Sequence, residues 1–458
     1  MKSSTLKNAF AESSFGKWFF APLEGSIFSE SIIFKPLSGL FSSWQEKGFV
    51  FLKYVLAALV VASLFAPRFM LGSLSLSYQV YVRPDDLLFV LLLGMVLPGM
   101  LKKEDSGWGM ASIEKAFVFF LMVCAVSILN GFYFRTIDKP LVSLLYLAKW
   151  TQYFLLFAIT ARLSMNKQAT RFFLAVFFLS GILVSIYGYT EYFSPHAKAL
   201  YPNYYRLFER PPFHGDANHI GGFLVFWIAF FSGLFLKEKN PRKTLLLLVG
   251  LLFVFFPMIW TYSRKSYLAL GATFSIFFMI VPERKKMLWL LSLFVLAGLL
   301  FPTRLAERLI DLGDFTGSDP FHASWTADIA VWQRSLWNFS RFFVFGAGWG
   351  ARHRLFYESQ YLMILTETGL VGFSCFLFLC LSLVRQAFSY WVRFSKTPDG
   401  AMLFGWFMAF MAFMFHSFSC VSWTVSKMAV PFWFLTAFVF AHFKTETAPA
   451  EERFFAHV

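Results

Sequence analysis

Phe301-Pro302-Thr303-Arg304 closes one apolar segment, and Glu358-Ser359-Gln360-Tyr361-Leu362 opens the next. The 56 residues between them (302–357) carry six arginines and no lysine. So long a polar interval, set between stretches compatible with hydrocarbon, decides the architecture: helical spans on either side of one large loop. Outward from it, a window of about 19 residues marks apolar segments at roughly 49–66, 86–101, 115–132, 142–160, 172–190, 219–236, 244–260, 266–281, 286–301, 360–384, 402–418 and 426–443.

Composition agrees. Of 458 residues, 58% are hydrophobic, 21% aromatic and 15% charged, whereas a soluble domain carries about 25% charged residues. A soluble protein could not hide 64 phenylalanines. The expected fold is an all-α polytopic membrane protein with about twelve transmembrane helices. Its one large loop lies between the ninth and tenth spans. The net charge of +15 reads as lysine and arginine in cytoplasmic loops, not as nucleic-acid binding. Cys124, Cys375, Cys380 and Cys420 all fall in apolar segments without ligand spacing, as small buried hydrophobes do.

With a cytoplasmic N-terminus, every inside loop is basic: Lys102-Lys103, then Arg162, Lys167 and Arg171, then Lys237 to Lys243, then Arg284-Lys285-Lys286, then Arg385 to Lys396. The spans and the orientation therefore support each other. The expected organisation is an N-terminal cytoplasmic or interfacial extension (1–48) without a cleavable signal pattern, nine spans (49–301), the loop (302–357), three spans (358–443) and a cytoplasmic tail (444–458).

Outside, arginines stand where the rule disfavours them. Arg264 lies in the corner Thr261-Tyr262-Ser263-Arg264-Lys265, Arg206 and Arg210 in the loop 191–218, and Arg334 in the large loop. Binding of an anion explains this repeated breach; an arginine snorkelling to the interface is the bland reading for Arg264. Within the large loop, Ser324 to Phe339 is helix-like, with Ser324 as N-cap. Phe345-Gly346-Ala347-Gly348-Trp349-Gly350 reads either as a plain turn or as an anion nest of backbone amides. Asn218, with His214, Asp216 and His219, arrives at the mouth of a helix; the loop reads as a connector or as a metal site on His214, Asp216 and His219, and the connector is preferred, with no metal assigned. Glu358 either complements a helix dipole or acts as a general base. Glu367, nine residues on at about 100° per residue, faces the opposite way and reads as a packing or hydrogen-bonding residue inside the bundle.

In order, His214-Gly215-Asp216-Ala217-Asn218, Thr261-x-Ser263-Arg264, Trp332-x-Arg334, Phe345-Gly346-x-Gly348-x-Gly350 and Tyr361-Leu362-x-x-Leu365-x-Glu367-x-Gly369-Leu370-x-Gly372 resemble the O-antigen ligase and O-antigen polymerase family of bacterial inner-membrane glycosyltransferases. The resemblance covers roughly 85–440. It implies an undecaprenyl-pyrophosphate-linked glycan donor at the periplasmic face and a glycan or lipid-linked acceptor. It also implies a chain-length regulator and membrane lipids as partners, and transfer without metal or other cofactor. By motif position Arg264, Arg334 and Arg210 would hold the pyrophosphate, Glu358 would be the base, and Asn218, Ser263, Tyr361 and His353 would support them. Ligases usually carry His-Asn where this chain has Glu358-Ser359, which favours a polymerase. His353 could substitute as base, but it sits in Arg352-His353-Arg354. A transporter is the alternative class, although no internal repeat is visible and the polar residues cluster at one face.

Overall fold

A computed structural model describes residues 45–65, 69–75, 78–102, 112–163, 165–194, 206–208, 217–299, 322–351 and 357–447. In chain order the elements are α1 (Gln45–Phe65), β1 (Phe69–Ser75), β2 (Tyr78–Val82), α2 (Pro84–Lys102), α3 (Ser112–Tyr133), α4 (Pro140–Ala161), α5 (Lys167–Phe193), α6 (Ala217–Lys237) and α7 (Pro241–Trp260). They continue with α8 (Arg264–Ile280), α9 (Arg284–Leu299), α10 (His322–Arg341), α11 (Gln360–Phe394), α12 (Gly400–Ser417) and α13 (Ser426–Thr447).

The protein is a polytopic helical membrane protein. Each of the twelve apolar segments is a helix, and eight of the described helices (α3 to α7 and α11 to α13) are long and apolar enough to cross a membrane. Helices α8 and α9, of 17 and 16 residues, are shorter. Element edges differ from the sequence reading. Helix α1 starts at Gln45, inside the expected extension, and α11 runs on to Phe394. Helix α10 starts at His322, so Ser324 lies in its first turn and is not its cap. The described residues also contain one non-helical element, the antiparallel hairpin β1–β2, in which Phe69 pairs with Val82 and Ser75 with Tyr78.

The core is organised on α6, whose apolar residues are buried nearly all round. A helix apolar on every face belongs in a bundle interior. It packs most extensively on α12, and the approach is close: a Cβ on Gly233 would stand 2.4 Å from the Gly405 Cα. Small residues allow such backbone contact where the surrounding lipid gives helices no hydrophobic reason to associate. Aromatic rings fill the remaining space, as where Phe413 stacks on Phe432 with centroids 4.3 Å apart and Trp423 meets Phe432 at 4.8 Å. All four cysteines are buried, and none forms a disulfide.

Charges inside the bundle are paired, as their desolvation requires. Arg162 forks onto Glu114, with its Nη2 2.9 Å from Oε2. Arg83 Nε donates to Asp85 at 2.8 Å, and Lys149 binds Asp86.

Candidate functional site

The corner joining α7 to α8 is the foundation. Tyr262 takes a positive φ of 47°, turning the chain sharply. Ser263 then caps α8, its side chain accepting from the Ser266 amide at 3.3 Å. Arg264 and Lys265 are therefore the first two residues of a helix. The positive end of a helix dipole disfavours cations there, so two in succession call for anionic partners.

The protein supplies two carboxylates. Lys265 forms an ion pair with Glu358, and its Nζ also lies 3.7 Å from Asp328 Oδ2 on α10. All three side chains are mostly covered: 16% exposed for Lys265, 20% for Glu358 and 14% for Asp328. Burial pushes the Asp328 carboxyl above the usual carboxylate range; Lys265 opposes this, Glu358 adds to it, and Arg264 opposes it. Glu358 itself precedes α11. The cap is Ser359, whose side chain accepts from the Leu362 amide, and this leaves Glu358 on the irregular approach to the helix, turned towards Lys265.

A second cation braces the corner. Arg206 donates through Nε to the Thr261 carbonyl at 3.0 Å and through Nη2 to Asn218 Oδ1 at 2.7 Å. The neighbouring Phe208 amide donates to Glu191 at 2.8 Å, and the Leu207 amide to the Trp260 carbonyl at 3.3 Å. This short strap ties α5, α6 and α7 together beside Arg264. His416, fully buried at the end of α12, sets its Nδ1 2.9 Å from Ser422 Oγ. It lies within electrostatic reach of His219 and Lys265.

The glycine-rich turn is spent on structure. Helix α11 breaks at Gly369 (φ 67°, ψ −168°), freeing carbonyls inside the bundle that need donors. The Ala347 amide donates to the Thr366 carbonyl at 2.8 Å and the Gly348 amide to the Glu367 carbonyl at 3.0 Å. In return, the Leu370 and Val371 amides donate to the carbonyls of Phe343 and Val344. The Gly350 amide binds the buried Glu367 carboxylate at 3.1 Å. Three of the amides available for an anion nest are thus committed to partners within the protein, one of them a carboxylate. Of the two expectations for Glu367, packing or hydrogen bonding inside the bundle, this geometry shows hydrogen bonding.

The structure brings Glu358 to the Arg264-Lys265 corner, and Ser263 and Asn218 beside it. Arg334 is exposed on α10, six residues after Asp328 and so roughly 120° round the helix from it. Tyr361 turns away from the cluster, its hydroxyl donating to the Met414 carbonyl at 2.8 Å. Arg210, His353, His214 and Asp216 lie outside the described residues. Asp328 is absent from the sequence reading, and Lys265 and Arg206, though named there, carry no assigned role in it. Lys265 carries a local signal, a second cation beside Arg264 at a helix start. Asp328 and Arg206 reach the site only through tertiary packing.

The family model for O-antigen ligase matches residues 248–377. That segment runs from within α7 to within α11 and holds Arg264, Lys265, Asp328, Arg334 and Glu358. None of the curated proteins matches the chain.

Proposed function

Starting from a chain with an O-antigen ligase family domain, we propose that the protein is a glycosyltransferase acting on a glycan carried by undecaprenyl pyrophosphate. It works at the periplasmic face of the bacterial inner membrane, with twelve spans and both termini in the cytoplasm. The observation that supports this most directly is the ion pair between Glu358 and Lys265 next to Arg264. A carboxylate and a cluster of cations stand together at one helix start.

In this reading the acceptor hydroxyl attacks the anomeric carbon of the donor sugar. Glu358 takes the hydroxyl proton as the new C–O bond forms. The bond to the pyrophosphate oxygen breaks, and undecaprenyl pyrophosphate leaves with the electron pair. Attack opposite the leaving group inverts the anomeric centre. Arg264, Arg334 and Arg210 neutralise the departing charge through bidentate, charge-assisted hydrogen bonds. Asn218 and Ser263 hold the corner that aims Arg264. Neither metal nor other cofactor enters the scheme.

Glu358-Ser359 in place of His-Asn favours a polymerase that joins lipid-linked repeats, with a chain-length regulator as partner. The ligase-type domain match favours a second reading, ligation to lipid A-core or another acceptor. Glycans from a deletion strain separate the two: single repeats mark a polymerase, long unattached chains a ligase. Glu358→Gln, Arg264→Ala and Arg334→Ala should each abolish polymer while the protein still inserts. Full-length polysaccharide from all three would overturn the transferase reading.

A further inference from the structure

We propose that Lys265 is a further cation of the pyrophosphate site, and that the arriving pyrophosphate draws it from Glu358 and so frees that carboxylate to take the acceptor's proton. The inference rests on the glycosyl-transfer reading above.

Lys265 is the second residue of α8, where the helix dipole repels it and attracts phosphate. In the free protein it is held by carboxylates on both sides, Glu358 in an ion pair and Asp328 at 3.7 Å. Those two anions stand where a ligand anion would otherwise sit. Lysine suits an exchange better than arginine does: its ammonium is a point charge with three donors on a flexible four-carbon stem. Pyrophosphate, bearing several negative charges beside Arg264, competes for that ammonium on favourable terms.

The same contact limits Glu358 until then. A carboxylate oxygen engaged by an ammonium has fewer lone pairs to offer an incoming hydroxyl. Among the described residues, the other titratable or charged groups within electrostatic reach of this cluster are Arg264 on α8 and His416 on α12, and His219 on α6 acts in turn on His416. Asp328 is placed to stay with Lys265 during the move, so the ammonium pivots without losing all its partners. The transfer then proceeds as written above: the acceptor's proton goes to Glu358, the C–O bond to pyrophosphate breaks, and Lys265 stays with the departing diphosphate. Base release is thereby coupled to an occupied donor site.

A water-soluble carbodiimide tests the exchange, because it joins an adjacent amine and carboxylate as an amide. The full-length protein in nanodiscs is treated with it, and the peptide linking Lys265 to Glu358 is quantified by mass spectrometry. Geranylgeranyl pyrophosphate is the probe and geranylgeraniol the uncharged control. The link should form in the free protein and fall several-fold with the pyrophosphate alone. A link that persists at saturating pyrophosphate, or that never forms, overturns the inference. In transfer assays with a lipid-linked repeat, Lys265→Met should raise the donor KM by about tenfold or more, and Lys265→Arg should recover part of that loss. An unchanged donor KM in Lys265→Met overturns the inference while leaving the transferase reading intact. A wild-type protein that transfers no glycan overturns the reading itself.

Discussion

The Gly350 amide donates to the Glu367 carboxylate, 3.1 Å away, across the break that Gly369 makes in α11. This pair locks the loop segment bearing α10 onto the helix that Glu358 precedes. Glu367→Gln keeps an acceptor for that amide and should fold and melt close to the wild type. Glu367→Leu removes the buried carboxylate that accepts from this amide, at a cost of about 1–3 kcal/mol. Thermal unfolding in detergent reads the difference, and equal melting of both variants would show that the contact contributes nothing.

Gly369 combines a left-handed φ of 67° with a neighbour at the position of a side chain: a Cβ would stand 2.2 Å from the Val344 carbonyl oxygen. With ψ at −168° this is a glycine-only region of backbone space, so Gly369→Ala meets strain of about 1–3 kcal/mol together with a clash that only main-chain movement can relieve. Gly271, on α8, has nothing within 4 Å of its added Cβ, and Gly271→Ala should be neutral to within about 1 kcal/mol. Expression and monodispersity by size-exclusion chromatography should separate them, with Gly369→Ala losing folded protein and Gly271→Ala retaining it.

Burial raises the Asp328 carboxyl above its ordinary value, against the pull of Lys265. The sign of the consequence follows from linkage. A carboxyl whose folded-state value exceeds its unfolded one binds more protons when folded. Its contribution to stability is complete below the ordinary Asp range and is lost as pH rises through the raised value. Asp328→Asn should remove this part of the pH dependence. Melting temperatures measured from pH 4 to pH 7 should therefore fall less steeply in Asp328→Asn than in the wild type; identical slopes would refute the assignment.

How far the sequence carries is visible in particular residues. The apolar segments were legible because hydropathy is summed over a whole turn-by-turn window, and each formed a helix. The helix at Ser324–Phe339 was legible from Ile329, Trp332 and Leu336 at helical spacing, two residues short at its start. The helical-phase argument that sets Glu358 opposite Glu367 does not apply, because Glu358 precedes the extended Ser359 cap and so lies outside α11. The hairpin at Phe69–Val82 was passed over, because a short strand pair leaves little trace beside long apolar runs. The break at Gly369 was hidden inside a continuous apolar stretch; its cause is the donors at Ala347, Gly348 and Gly350, which packing alone brings near. Asp328 was likewise unreadable as a partner of Lys265, because 63 residues and a change of element separate them.

Arg206 is the sharpest case, because the sequence reading favoured Arg210 from the same loop. Arg206 makes two bonds at once, to the Thr261 carbonyl and to Asn218, and so joins the start of α6 to the corner carrying Arg264. The planar guanidinium fork places its donors at fixed angles, which a single ammonium cannot copy. If Arg206 works by bracing the corner, Arg206→Lys should lose nearly as much transfer activity as Arg206→Ala, because charge without the fork does not restore both bonds. If it works only as a positive charge near the donor, Arg206→Lys should instead recover most of the activity. Asn218→Leu provides the independent arm. It removes one bond of the brace without changing charge, and under the bracing argument it should reduce kcat in the same direction as Arg206→Ala. Transfer rates for the three variants, at donor concentrations well above KM, distinguish geometry from charge.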